Sequence, residues 1–390
     1  MSTVSVSLHA SLLELPPATR ARLLPAEHPI VNEAFLGLME TTGVLHAQGW
    51  QPLHLALHED GICVGLLPLY LKHDSLGEFA DDWEWARAWQ NCGKRYYPKL
   101  VSCTPFTPVT GPRLLLGEID DATFVQRARR LATAAAALVS AEGLSTWHLL
   151  FVTSREAEAL ADQPGLHARI GVQFHWFNRG YRDFEDFLAD LTARRRKEIR
   201  RERRQASGFE YLCLDGHTAT PEDWQDFHRF YCDTFQRKWG EPRLNLAWFT
   251  RLATLQPAST LLFLARADGR TVAGAFALRD GDTLYGRHWG CDGFHPQLHF
   301  ELCYYRTIEY CIHHGLARLD AGAQGEHKLQ RGFEPILTRS VHHVRDAGFR
   351  DAIDDFCHRE AQAVLAYLES AKSHLPWRQA GPEAHDSSAS

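Results

Sequence analysis

Thr271-Val272-Ala273-Gly274-Ala275-Phe276-Ala277-Leu278 is an apolar run of the length of one buried strand. The turn signal Asp268-Gly269-Arg270 precedes it and marks a hairpin. A similar passage lies earlier in the chain, where Glu59-Asp60-Gly61 leads into Ile62-Cys63-Val64-Gly65-Leu66-Leu67-Pro68-Leu69-Tyr70-Leu71. Each run has a glycine in its middle (Gly65; Gly274) and a second glycine twelve residues later (Gly77; Gly286). Each then meets an aromatic-rich segment, a predicted helix closed by a glycine (Gly93; Gly315), and a strand over 97–101 or 317–321. The correspondence predicts an internal duplication. Hairpins alternating with helices in both halves predict an α/β (α+β) fold of two tandem domains, each a mixed sheet flanked by helices.

The length of 390 residues suits two domains. The expected division is a loose lead-in at 1–25, domains at 26–168 and 169–378, and a flexible tail at 379–390. Helical spacing of Phe300, Cys303, Tyr304, Thr307, Ile308 and Cys311 predicts a helix over 298–313, and the Ala-rich stretch 124–141 predicts another.

Composition narrows the function. With 42 Lys and Arg against 48 Asp and Glu, the formal net charge is −6, so any contact with a polyanion must be local. No apolar run reaches the roughly 18 residues of a membrane-spanning helix. The N-terminus lacks the pattern of a signal peptide, and the nine cysteines form no CxxC pair. A cytoplasmic protein with reduced thiols is expected. The 22 histidines include no HExxH, so no metal is expected. GxxxxGK[ST], GxGxxG and GxSxG are also absent.

Three segments carry candidate chemistry. Asp320-Ala321-Gly322-Ala323-Gln324-Gly325-Glu326-His327-Lys328-Leu329-Gln330-Arg331-Gly332-Phe333 follows a predicted strand, so it lies at a strand's carboxyl end, where α/β sheets place ligands. Its glycines permit close backbone approach, and Gln324, Glu326, His327, Lys328 and Arg331 crowd polar groups there. A Gly-rich surface turn with solvated charges is the plainer alternative. Gly171-Val172-Gln173-Phe174-His175-Trp176-Phe177 reads as a strand with Gln173 and His175 on one face, and His175 as either a catalytic or a hydrogen-bonded structural residue. The run from Arg194 to Arg204 holds eight basic side chains in eleven residues of a predicted helix. Arg195, Arg200 and Arg204 are its candidate phosphate ligands, and a solvated helix with Arg–Glu pairs is the alternative. Arg287-His288-Trp289 extends the second domain's sheet and is a candidate cleft lining. Lys99 and the Pro/Gly loop holding Phe106 and Thr107 are candidates for an acceptor groove, and core plus loop is the equal alternative.

Tyr96-Tyr97-Pro98-Lys99-Leu100, Pro105 to Arg113, Gln173-Phe174-His175-Trp176 and Gly322 to Lys328 with Arg331-Gly332-Phe333 resemble the bacterial FemAB-like proteins of peptidoglycan biosynthesis or recognition, over roughly residues 25–370. That group is similar to the GNAT acyltransferase superfamily, with two GNAT-like domains in one chain. The resemblance implies transfer of an acyl or aminoacyl group to an amine of a peptide, cell-wall precursor or small metabolite. Fem aminoacyltransferases carry Phe-Lys-x-x-Phe-Gly where this chain has His327-Lys328-Leu329-Gln330-Arg331-Gly332. Lys328 and Gly332 match; His327 and Arg331 stand where Phe is usual. The resemblance implies Lys328 as the cation that stabilises the acyl-transfer oxyanion. His175, Glu326 or His327 would accept the amine proton. Gln324, Gly325, Arg331, Arg287, Trp289, Trp176, Phe106, Thr107 and Lys99 would contact substrate. No tightly bound cofactor is implied. The donor would be aminoacyl-tRNA or acyl-CoA, although the GNAT pyrophosphate loop follows neither central strand. A peptidoglycan- or peptide-recognition protein without chemistry, and a CoA-dependent N-acetyltransferase, are the alternatives.

Overall fold

The computed structural model describes residues 3–238, 240–323 and 325–378. The first half runs β1 (Val4–His9), α1 (Pro17–Leu23), α2 (Glu33–Thr41), α3 (Val44–Ala47), β2 (Trp50–Pro52), β3 (His54–Glu59), β4 (Ile62–Leu67) and β5 (Tyr70–Lys72). It continues through α4 (Trp83–Asn91), β6 (Lys99–Ser102), α5 (Asp121–Ala141), β7 (Thr146–Leu149) and α6 (Ser154–Leu160). The second half opens with β8 (Leu166–Phe177), α7 (Phe184–Asp190), α8 (Ala193–Gln205), β9 (Glu210–Asp215), α9 (Pro221–Lys238) and α10 (Leu246–Leu255). Then come β10 (Thr260–Ala267), β11 (Arg270–Arg279), β12 (Thr283–Cys291), a helix over residues 298–313 and β13 (Arg318–Asp320). A 3₁₀ turn (Glu326–Arg331), β14 (Glu334–Val344) and a C-terminal helix (Ala347–Ser373) complete the order.

Eleven strands form one mixed sheet in the order β2-β5-β6-β7-β14-β8-β13-β12-β11-β10-β9, and β1-β3-β4 form a second, smaller sheet. The duplication is visible in strand direction. β5–β6 is antiparallel, β6–β7 parallel and β7–β14 antiparallel. On the other side β11–β12 is antiparallel, β12–β13 parallel and β13–β8 antiparallel. The two long strands β8 and β14 pair at the centre. The chain is thus two halves of matching strand direction sharing one mixed sheet, and the 168/169 boundary expected from sequence falls inside β8.

Three sequence expectations change here. The repeat is offset from the one read in sequence: topology matches β6 with β12, β7 with β13, and α5 with the 298–313 helix, rather than strand 97–101 with strand 317–321. The apolar run 62–71 also divides, into β4 of the small sheet and β5 of the large one. Pro68 stands at the break, where a residue without an N–H cannot continue the ladder. The lead-in is folded: β1 pairs with β3, and Leu12, Leu15, Leu23 and Leu24 are buried. The tail at 379–390 lies outside the described residues.

Packing on the two faces of the C-terminal sheet decides where the site lies. Phe174 and Trp176 of β8 and Leu319 of β13 belong to a core with α7, α8 and the 298–313 helix. Phe276 and Tyr285 face the opposite core, built with α9 and α10. Strand alternation therefore puts Gln173, His175 and Asp320 on that opposite face.

Candidate active site

β12 and β13 pair only over Thr283–Tyr285 and Arg318–Asp320. Beyond Asp320 the chain leaves the sheet through Ala321 and Gly322, the latter at φ 81°, a left-handed conformation that suits glycine. β12 continues alone, so a wedge opens between the two strands at their carboxyl ends. A bulge lies at its edge: Ala277 opposes Gly286 and Phe276 opposes His288, leaving Arg287 as the extra residue. Bulges re-aim side chains, and here the Arg287 Nη2 donates to the carbonyl of Phe106 at 3.2 Å. Phe106, with φ 57°, comes from the loop after β6, so the wedge is walled by both halves of the chain.

His175 and Asp320 are register partners across β8 and β13. Nε2 of His175 lies 3.6 Å from Oδ2 of Asp320. Both residues are buried. Among the described residues, neither ring nitrogen of His175, nor Oδ2 of Asp320, nor Oε1 of Gln173 has a hydrogen-bond partner. The other atoms of this group are engaged: Asp320 Oδ1 accepts from Gly322 N at 2.8 Å, and Gln173 Nε2 donates to Pro108 O at 2.7 Å. Buried polar groups are nearly always satisfied, so orphans gathered at one place mark a site for something polar. Burial pushes the His175 imidazole below its ordinary value, with the Asp320 carboxylate opposing the shift. His175 is therefore neutral at pH 7 and able to take a proton.

Lys328 enters from the 3₁₀ turn and is 1% exposed. Its ammonium donates to Ala321 O at 2.9 Å and Gly322 O at 2.6 Å, which leaves one N–H of three. No carboxylate forms an ion pair with it among the described residues. Burial lowers its pKa to about 8, the Asp320 carboxylate opposes this, and the nearby Arg287 adds to it. Burial likewise lowers Arg287 to about 10. A second half-buried arginine, Arg243, sits with its guanidinium carbon 5.8 Å from the centre of the Phe106 ring. Gly77, at φ 84°, closes against the same pair: a Cβ there would stand 2.3 Å from Arg243 Nη1 and 2.7 Å from Phe106 Cδ1. Neither Arg243 nor Arg287 has a carboxylate partner among the described residues.

The FemAB-like family profile, described as peptidoglycan biosynthesis/recognition, matches residues 11–379. The chain belongs to the FemAB-like family. Its fold is similar to that of FemX, with a TM-score of 0.53 at 12% identity, covering 90% of this chain and 100% of FemX. A conserved protein of unknown function from Bacteroides thetaiotaomicron VPI-5482 gives 0.50 at 13% identity, over 87% of this chain and 100% of that one. A tandem GNAT protein from the clavulanic acid biosynthesis pathway gives 0.46 at 13% identity, over 88% and 98%. No curated protein matches the sequence. No helix among the described residues is long and apolar enough to cross a membrane.

Within this FemAB-like chain, the residues singled out from sequence divide. Lys328, His175, Arg287 and Phe106 meet at the wedge, with the buried Thr107 beside Phe106. Gly325, at φ 110°, leads into the turn that carries Lys328. Gln324 lies outside the described residues. His327 is exposed on the outer side of that turn, where its Nε2 pairs with the Tyr304 hydroxyl at 2.8 Å. Glu326 is exposed and accepts from the Tyr367 hydroxyl at 2.8 Å.

The remaining expectations are corrected. Trp176 is 0% exposed in the core on the other face of β8, because strand alternation turns it away from His175. Trp289 packs against that same core and meets the His299 ring edge-on. Lys99 is fully buried and held by Glu78, Asp82 and Ser75, so it cannot meet a substrate. Arg331 forms a buried ion pair with Glu202 at 2.9 Å and receives no substrate-facing freedom from it. Arg195 pairs with Glu198 at 2.5 Å, both half-buried, and Arg200 pairs with Glu185 on the surface. Of the phosphate-ligand trio only Arg204 is exposed with no carboxylate partner among the described residues. Sequence reasoning missed Asp320, Gln173 and Arg243 as site residues. The strand-end position of Asp320 and the Gln173-x-His175 alternation carried a signal for two of them. Nothing local marked Arg243.

Proposed function

We propose that this chain is an N-acyltransferase that moves an acyl or aminoacyl group from an ester or thioester donor to an amine of a peptide or cell-wall precursor. The observation that carries this reading is the set of orphaned buried polar atoms on His175, Asp320 and Gln173 beside the desolvated ammonium of Lys328. Acyl transfer needs a proton acceptor for the attacking ammonium and a donor for the developing oxyanion. Asp320 Oδ2 binds the incoming ammonium, and neutral His175 takes its proton. The freed amine attacks the donor carbonyl, and its C–N bond forms as the remaining N–H of Lys328 meets the oxyanion. The C–O or C–S bond to the leaving group then breaks, the proton held by His175 passes to that group, and the second proton, shed by the nitrogen as the amide forms, is taken by the freed His175 and released to solvent. Arg243 and Arg287, without carboxylates of their own, hold an anionic part of donor or acceptor against Phe106.

The test is mass spectrometry of an amine-bearing peptide incubated with the protein and either aminoacyl-tRNA or an acyl-CoA. A mass gain with one donor, lost in Lys328→Ala, supports the reading and identifies the donor. A second reading, recognition without chemistry, draws on the 1% exposure of Lys328 and its two bonds to backbone carbonyls. Under it the peptide binds with neither donor consumed.

A further inference from the structure

On the α9–α10 face of the C-terminal sheet Leu212 and Leu214 of β9 pack against the core, whereas Cys213 on the other face is exposed at the β9 edge. A cleft of about 950 Å³ opens there between β9–β10 and the 298–313 helix. Cys213 and Asp215 of β9 pair in register with Phe263 and Leu261 of β10, so these side chains share the floor. The helix supplies the wall. The cleft is separated from the wedge: β9 lies four strands from β13, roughly 19 Å at about 4.8 Å per strand, and the floor belongs to the opposite face. Its volume lies within the range of small-molecule sites, about 300–1,000 Å³.

The charges lining it are unevenly engaged. Glu309 already accepts from Arg203 and Arg306. Asp280 accepts from the backbone N–H groups of Asp282 and Thr283 and from the Tyr285 hydroxyl. Asp215 caps its own turn through Thr218. Glu27 is exposed at the rim. Arg279 differs from all of these. It is half-buried, donates only to the Tyr310 hydroxyl at 2.9 Å, and has no carboxylate partner among the described residues. A guanidinium with most of its five donors unused, beside the apolar floor of Phe263 and Leu261, fits a carboxylate on an apolar body.

We propose that this cleft is a second ligand site, for a small aromatic or branched aliphatic carboxylate that pairs with Arg279 and lies on Phe263 and Leu261. It is independent of the reaction proposed above. The experiment is ligand-observed NMR on the full chain, with a panel of aromatic and branched aliphatic carboxylates, each beside its neutral amide. At least one carboxylate is expected to bind saturably and at least tenfold more tightly than its amide. Arg279→Gln is expected to erase that difference, Arg279→Lys to keep part of it, and Lys328→Ala to leave it unchanged. The variants' circular dichroism verifies folding. Absence of binding by every carboxylate, equal binding of the amides, retention of the preference in Arg279→Gln, or its loss in Lys328→Ala would each overturn the proposal.

Discussion

Nε2 of His175 stands 3.6 Å from Oδ2 of Asp320, on residues paired in register, and neither atom has a hydrogen bond among the described residues. Leaving a buried polar group unsatisfied costs about 1–3 kcal/mol. A ligand group seated between the two removes that penalty, which is why the pair reads as a binding position rather than as packing. The Asp320 charge raises the His175 pKa against burial. Asp320→Asn should therefore lower the His175 pKa further, as followed by the imidazole shifts in NMR titration. The same variant should lose on the order of 100-fold or more in transfer rate, the scale of acid–base assistance. An unmoved imidazole titration would separate the two residues.

Lys328 makes a stability prediction independent of turnover. Its folded pKa is about 8 against an ordinary 10.5. Between those values the unfolded chain binds more protons than the folded one, so this group's contribution to stability rises with pH across that window. Lys328→Met removes a charge whose burial disfavours folding, and its stability relative to wild type should be highest at pH 7. The advantage should shrink as pH rises from about 8 to about 10.5. Denaturant melts at pH 7 and pH 10 measure it.

Glu202 and Arg331 tie α8 to the turn that carries Lys328, with Nη2 of Arg331 2.9 Å from Oε1 of Glu202 and its Nε donating to Tyr305. Removing one partner of a buried ion pair costs roughly 3–5 kcal/mol because the other charge is left behind. Glu202→Leu and Arg331→Met should each destabilise on that scale. The double variant should lose clearly less than the sum, as thermal melts in a double-mutant cycle would read.

Arg243 and Arg287 should act on binding rather than on chemistry. Arg243→Ala and Arg287→Ala are each expected to raise KM for the anionic substrate about tenfold or more, with smaller changes in kcat. Gly77→Ala should weaken binding in the same direction, since its Cβ collides with Arg243 and Phe106. Steady-state kinetics distinguishes these from a general loss of fold.

The pattern of apolar runs and glycines was enough to read the two-half architecture, because strands, hairpin turns and helix ends have local signals. The placement of Lys328 and His175 at the wedge was legible for a similar reason: a strand end followed by glycines, and a period of two in β8. The register of the duplication was not, since it depends on which strands run parallel, and that is decided by long-range pairing around β8 and β14. Lys99 and Arg331 read as substrate-contacting cations because their partners, Glu78, Asp82 and Glu202, are distant in sequence. Arg243 was invisible because its place beside Phe106 exists only once the two halves meet.

The pH dependence of kcat with a saturating donor and an amine-bearing peptide is the most direct test of Lys328 as the oxyanion donor. Wild type should lose turnover as pH rises through about 8, where the ammonium deprotonates. Lys328→Arg should carry that fall to higher pH, and Lys328→Ala should leave no measurable transfer. A wild-type rate that climbs through pH 8, or unchanged turnover in Lys328→Ala, contradicts the assignment.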